Sequence, residues 1–372
     1  MKALVVGGAG ATGVHIVQGL SARGFEVAIL HRGVHEDDAI AGYRHIHADP
    51  HFVEPVEAAL ANERFDLVVL MYGRLQLLAH LFAGRCERLI AVGGYPVYAG
   101  FLDPAATRPA GMLPATREDA PLADPALIRD SRYAAFARKM LEAERAVLDE
   151  HLRGAYVATL FRYPTIYGAR GIMPLEWSIM QRVRDRREFL LLPEAGAGIH
   201  SRCAALNAAH CVLLALDHPA SHGQIFNVAD EQALSLAQWA EIILDALGAS
   251  LELVALPASL NWVAGHLLPL DGAASAHVFA DIGKARSLLG YRDLIPAGRA
   301  IRETVEWYLA NPIDPANYPG ISDRYDYGLE DRVRVRLEDL ADEFASLRPA
   351  TEFAHAYPHP KKPGEPDRNR SR

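Results

Sequence analysis

Cysteine is scarce in this 372-residue chain: Cys86, Cys203 and Cys211 are the only three. They stand in apolar or helical contexts without metal-ligand spacing. This excludes a disulfide framework and predicts reduced core residues of a cytoplasmic protein. No apolar run is long enough to span a bilayer, so no membrane partner is expected. The chain opens directly on a strand, which leaves no room for a signal peptide. Positive charge is not in excess: the net charge is −8, which gives no basic footprint and argues against a nucleic-acid partner. No internal repeat is evident. Among sixteen histidines no metal cluster stands out, and no metal is expected. His45 and His47 alternate on one face of a short strand but lack further ligands nearby.

Half of the residues are hydrophobic, enough for a large core and two lobes. The stretch from Lys2 to Gly13 organises the rest. An apolar run ends in Gly7, Gly8 and Gly10, and an amphipathic run (Val14, Ile16, Val17, Leu20) follows at once. That pattern predicts a buried strand, a tight turn and a helix. Gly7 permits the sharp exit from the strand, Gly10 lets a diphosphate approach the backbone, and Gly13 lets helix and strand pack closely. The helix N-terminus at Ala11 and Thr12 offers free N–H groups to phosphate.

A second strand from Phe25 to Leu30 ends at His31-Arg32-Gly33, where such folds read the adenosine ribose. A carboxylate there would favour NAD; here the first one after the strand is Glu36. Arg32 suits a 2′-phosphate, so NADP is the expected cofactor, with NAD as the alternative. Asp49, after a short strand from Tyr43 to Ala48, is placed either to accept the adenine amino group or to cap the helix from Phe52 to Asn62. Strands at 65–71 and 87–92 alternate with a helix at 75–83. A Pro-rich loop precedes a long helix from Ile128 to Leu152, whose charged face carries Arg138, Glu142, Glu144 and Arg145. The next strand, 156–161, leads into Arg162-Tyr163-Pro164-Thr165-Ile166-Tyr167-Gly168. This alternation implies a doubly wound parallel α/β sheet, Rossmann-like, over residues 1–170.

Beyond Gly171 the rhythm loosens into a smaller mixed α/β lobe over 171–310, whose strands return to the first domain in one version of this reading. It has helices at 174–184, 200–216, 236–247, 282–289 and 301–309, and strands near Phe189, at 224–228 and at 251–254. A C-terminal extension spans 311–357 with a helix ending near Leu347. The Pro-rich, charged segment 358–372 is expected to be disordered.

Together these residues resemble the extended short-chain dehydrogenase/reductases, the nucleotide-sugar epimerases and dehydratases. Gly93-Gly94-Tyr95-Pro96-Val97-Tyr98 resembles that family's Ser-Ser-x-x-Val-Tyr segment, and Arg162 to Gly168 its Arg-Pro-x-x-Val-Tyr-Gly segment. Ile225-Phe226-Asn227-Val228 is similar to its Tyr-Asn-Val strand. The resemblance covers roughly residues 1–310. It implies a nicotinamide cofactor held by Gly7, Gly10, Ala11, Thr12, Gly13, Arg32, Asp49, Met71, Tyr72, Gly73, Tyr163, Pro164 and Ile166.

The family's catalysis uses a Ser or Thr, a Tyr as general acid/base, and a Lys that lowers the Tyr pKa. Aligned on Val97-Tyr98 and on Leu141 to Leu148, those positions hold Gly94, Phe136 and Met140. All three lack an exchangeable side-chain proton. Tyr133 and Lys139 are six residues apart, about 120° around a helix, and do not replace the pair. Three candidates remain for a displaced acid: Tyr133 one turn before Phe136, Tyr95 beside Gly94, and His200 in the small lobe, which with Arg202 either lines a substrate cleft or caps the helix that follows. The resemblance implies an oxidoreductase or epimerase-like enzyme acting on a small organic substrate with a non-standard proton donor. The alternatives are a non-catalytic NADP-binding regulator or partner-binding module, and lyase-type chemistry on the same fold. Apolar stripes on two helices (Leu77, Leu78 and Leu81; Phe136, Met140 and Val147), which a monomer would cover only in part, predict a two-fold homodimer.

Overall fold

A computed structural model describes residues 1–33, 37–71, 75–268, 277–314, 326–347 and 362–364. In chain order the first half comprises β1 (Lys2–Val6), α1 (Ala11–Ala22), β2 (Glu26–His31), β3 (Arg44–His47), α2 (Val53–Leu60), β4 (Phe65–Met71), α3 (Leu75–Leu81), β5 (Cys86–Gly94), α4 (Ser131–Leu152) and β6 (Val157–Tyr163). There follow β7 (Thr165–Tyr167), α5 (Leu175–Arg184), β8 (Phe189–Pro193), β9 (Ile199–His200), β10 (Arg202–Ala204), α6 (Ala205–Asp217) and β11 (Ile225–Asn227). Then come β12 (Leu234–Ser235), α7 (Leu236–Ala246), β13 (Glu252–Leu256), α8 (Gly283–Leu289) and α9 (Ala297–Ala310).

Seven strands form one parallel sheet in the order β11-β6-β5-β4-β1-β2-β3. The central strands are apolar on both sides because helices cover both faces, as parallel sheets require. One face packs Val14, Ile16, Val17 and Leu20 of α1 with Ala208, Val212 and Leu213 of α6. The other packs Val56 and Leu60 of α2 with Leu75 and Leu78 of α3 and Ala143 and Val147 of α4. The chain runs outward from β1 to β3, then returns to the other side of β1 at β4. That reversal is the crevice in which doubly wound sheets bind their ligands. The expected fold class is therefore the one observed.

The small pairings β7–β10, β9–β12 and β8–β13 lie outside the main sheet, while β11 returns to its edge beside β6. The helix expected from His200 begins only at Ala205. His200 is extended instead, paired with Leu234 and bridged to Val278, and Arg202 pairs with Thr165. Tertiary strand partners outweighed local spacing here. Residues 1–325 form one compact unit and residues 326–372 a second. The second contains α10 (Tyr327–Ala345), where the Asp326 carboxylate accepts from Leu329 N at 2.9 Å. The segment expected to be disordered lies outside the described residues save 362–364.

Two surface expectations change. Glu144 is not on a charged face: only 4% exposed, it turns into the protein to meet Arg162 of β6. The apolar stripes proposed for dimerisation are largely used within the chain. Leu78, Leu81, Met140 and Val147 are buried, which leaves Leu77 exposed and Phe136 half-buried.

Candidate functional site

The β1–α1 turn lies at the crevice. Gly7 has φ +88°, and a Cβ there would come within 3.1 Å of the Met71 carbonyl oxygen at the end of β4. Its N–H donates to the Leu30 carbonyl at 2.9 Å, pinning the turn to β2. At Gly13 a Cβ would sit 2.6 Å from the Gly8 carbonyl carbon, so helix and turn touch backbone to backbone. Gly10 differs: a Cβ there would meet nothing within 4 Å. It is the N-cap of α1, with no side-chain cap, so the N–H groups of the first turn, from Ala11 and Thr12 onward, are left for an incoming anion. Three glycines are thus accounted for, two by close contact and one by open approach.

Of the other residues expected to hold a dinucleotide, Met71 and Tyr163 lie against this turn or its helix. Met71 is half-buried beside Gly7. Tyr72 and Gly73 lie outside the described residues. Tyr163, at the end of β6, is buried; its phenol lies beside Thr12 and donates to the Ala208 carbonyl at 3.4 Å. Pro164 and Ile166 follow it, half-buried. Arg32 is exposed past the end of β2. Asp49, past the end of β3, accepts from the His51 backbone at 3.0 Å and from its ring at 2.7 Å. These bonds, with a smaller contribution from the Arg32 charge, hold its carboxyl below the usual range. Asp49 therefore closes a local turn and does not cap α2, whose N-cap is Phe52.

The strand pair at this end corrects one expectation. His45 and His47 do have a third imidazole beside them: His31, paired in register with His47 across β2 and β3. Sequence spacing hid this because the three are brought together only by strand pairing.

At the end of β5, Gly94 and Met140 come together. A Cβ on Gly94 would lie 3.7 Å from Met140 Cε, 3.2 Å from Pro96 Cδ and 3.3 Å from the Tyr163 carbonyl oxygen. Met140, Ala137, Tyr95, Val97 and Tyr98 form an apolar cluster, with Tyr133 and Phe136 packed at its edge. One residue earlier, a Cβ on Gly93 would lie 3.3 Å from Glu144 Oε1. The room that Gly93 leaves is thus taken by the buried Glu144–Arg162 pair, joined through Arg162 Nη2 to Glu144 Oε2 at 2.8 Å. Arg162 also donates to the Glu118 carbonyl at 3.0 Å and covers the Tyr98 ring at 4.7 Å. This network was not foreseen. Its signal was an Arg at the end of an apolar strand, which demands a buried counter-charge.

The candidate acids separate by environment. Tyr95 is buried, and its hydroxyl donates to the Val228 carbonyl at 2.7 Å; burial pushes its pKa well above that of a free phenol. His200 is buried, and burial, helped by the Arg202 charge, lowers its pKa to about 3, so it is neutral at pH 7. It lines a cavity of about 10 Å³ with Tyr167, Arg202, Asp230 and Trp239, room for about one water. The Arg202 guanidinium there lies over Trp239 at 4.4 Å, with both terminal nitrogens lacking a partner among the described residues. Tyr133 is half-buried on α4, two turns before Met140 and on the same side of the helix.

No protein-family model matches the chain, and no curated protein matches it in sequence. Solved structures do. UDP-glucose 4-epimerase from Thermotoga maritima with UDP-glucose superposes with TM-score 0.66 at 16% identity, over 84% of this chain and 99% of that one. UDP-glucuronic acid 4-epimerase from Bacillus cereus, in complex with UDP-glucuronic acid and NAD, gives 0.63 at 15% identity, over 84% and 100%. dTDP-glucose 4,6-dehydratase from Streptomyces venezuelae, with NAD and TYD bound, gives 0.63 at 20% identity, over 84% and 98%. At such identities the likeness is one of fold: the chain has the extended short-chain dehydrogenase/reductase fold.

Proposed function

We propose that this protein binds a nicotinamide dinucleotide and acts as an epimerase- or dehydratase-like oxidoreductase on a small organic substrate. The observation that carries the reading is the β1–α1 turn, where Gly7 and Gly13 are closed by backbone contacts and Gly10 is open to solvent before an uncapped helix N-terminus. Gly7, Gly10, Ala11, Thr12 and Gly13 would hold the diphosphate, Arg32 a 2′-phosphate, and Met71, Tyr163, Pro164 and Ile166 the ring end. Bound there, the cofactor supplies hydride transfer. The solved neighbours that carry NAD in their names support a dinucleotide; Arg32 in place of a carboxylate supports NADP.

The proton donor in this reading is Tyr133. Tyr95 is sealed against the Val228 carbonyl, and His200 holds no ionisable proton to give at neutral pH. Tyr133→Phe is expected to lower turnover by about two to four orders of magnitude with cofactor affinity intact. Normal turnover in Tyr133→Phe, Tyr95→Phe and His200→Ala alike would overturn a displaced acid. The second reading, a dinucleotide-binding module without turnover, is favoured by the apolar packing of Gly94, Phe136 and Met140. Tight NADP binding without turnover on a panel of carbonyls and alcohols would select it. A homodimer remains part of the proposal, resting on exposed Leu77 and half-buried Phe136. A monomer mass by light scattering at micromolar concentration removes it.

A further inference from the structure

We propose that His31, His45 and His47 form a divalent transition-metal site of the zinc class. Parallel register sets His31 opposite His47 and His45 opposite Ile29, so all three imidazoles stand on one face at the C-terminal ends of β2 and β3. A ligand atom from each lies within 4.8 Å of the other two. The rings meet at steep angles: 78° between His31 and His45, 86° between His31 and His47, with centroids 4.9 and 5.0 Å apart. The direct approach of nitrogens is between His31 Nε2 and His45 Nδ1, at 2.7 Å.

The hydrogen bonds fix the tautomers. Gly33 N–H donates to His31 Nδ1 at 3.1 Å, so the His31 proton is on Nε2. That proton bridges to His45 Nδ1 at 2.7 Å, and His45 Nε2–H donates to the Ile40 carbonyl at 3.0 Å. His45 thus presents a lone pair inward while a backbone carbonyl holds its other N–H, the outer-shell arrangement that orients a ligating imidazole. A metal entering here takes the lone pairs of His45 Nδ1, His31 Nε2 and one His47 nitrogen. The His31 proton shifts to Nδ1, which gives up the Gly33 N–H, and no proton is released.

Zn–N bonds of about 2.0–2.1 Å set tetrahedral ligands about 3.3 Å apart. The 2.7 Å His31–His45 pair must open by about half an ångström, and the remaining pairs must close from at most 4.8 Å. His47 is exposed and supplies both that adjustment and the entry path. Three imidazoles with no carboxylate among the group favour zinc, nickel or copper over magnesium or calcium, and leave a fourth position for water.

The test uses full-length protein without a polyhistidine tag, stripped by chelator and titrated with Zn²⁺ alone by calorimetry and with Co²⁺ by visible absorption. One equivalent is expected to bind, with the absorption pattern of tetrahedral cobalt. Because His31 is buried, exposed His47 and half-buried His45 carry the test. His47→Ala and His45→Ala should each weaken binding at least about tenfold with an unchanged circular dichroism spectrum. Absence of saturable binding at one equivalent, or affinity unchanged in both variants, overturns the site and leaves a hydrogen-bonded imidazole ladder. Metal binding is read with no dinucleotide added, so neither result depends on the cofactor reading.

Discussion

Two glycine-rich strand ends, one after β1 and one closing β5, look alike in sequence and differ in what surrounds them. At the first, Gly10 faces open space while Gly7 and Gly13 are closed by backbone. At the second, the space a Cβ would take is bordered by the chain itself: Glu144 beside Gly93, and Met140, Pro96 and Tyr163 beside Gly94. The first end has the shape of a place kept free for a ligand's phosphates. The second is packed by side chains of the chain itself, with Met140 and Pro96 beside Gly94. A Ser at position 94 would crowd Pro96 and the Tyr163 carbonyl, although the extended backbone there, φ −163°, accepts any residue.

The sharpest way to break this comparison is at the filled end. Glu144→Ala strands the Arg162 charge in a site where that side chain is 2% exposed, and should cost about 3–5 kcal/mol in urea denaturation. A cost below about 1 kcal/mol, the level of an exposed pair, would mean that Arg162 finds water and that the end is not closed.

At the open end, Arg32→Ala should weaken NADP binding by about 1.5–3 kcal/mol and leave NAD nearly unchanged in fluorescence titrations. Equal loss for both cofactors would sink the 2′-phosphate role. The two glycines of the turn should then respond in opposite ways. Gly13→Ala forces a Cβ to 2.6 Å from backbone and should cost about 1–3 kcal/mol of stability. Gly10→Ala should stay within about 0.5 kcal/mol of wild type in stability, yet lose about tenfold in dinucleotide affinity, roughly 1.4 kcal/mol. If Gly10→Ala binds normally, the open position is not where the diphosphate lies.

A further expected effect, away from both glycine ends, is a slope. His200 is depressed from 6.5 to about 3 by burial. An unfolded chain therefore binds a proton that the folded one refuses as pH falls below 6.5, and stability is lost from there down to about 3. His200→Gln should flatten that acid limb by up to about 1.4 kcal/mol per pH unit. A limb unchanged in chemical denaturation series across this range would show that the imidazole is solvated.

The sequence by itself determined the sheet and the turn, because both rest on short-range patterns. Four apolar residues followed by Gly7, Gly10 and Gly13 leave few alternatives to strand, turn and helix, and β4 lies where its apolar run begins and ends, at Phe65 and Met71. Gly94 and Met140, which the alignment singled out, do lie side by side. What only the tertiary structure decided depends on residues far apart in the chain. His200 is a strand residue because Leu234 and Val278 offer it backbone partners, whereas its own neighbours suit a helix equally well. Glu144, eighteen positions from Arg162, became buried because a guanidinium at the end of β6 had to be neutralised where water cannot reach. The three imidazoles of β2 and β3 became a group only when parallel pairing fixed the register between His31 and His47. Local propensity acts over one turn or one pleat; burial and pairing are settled between segments, and a single sequence carries no record of which segments meet.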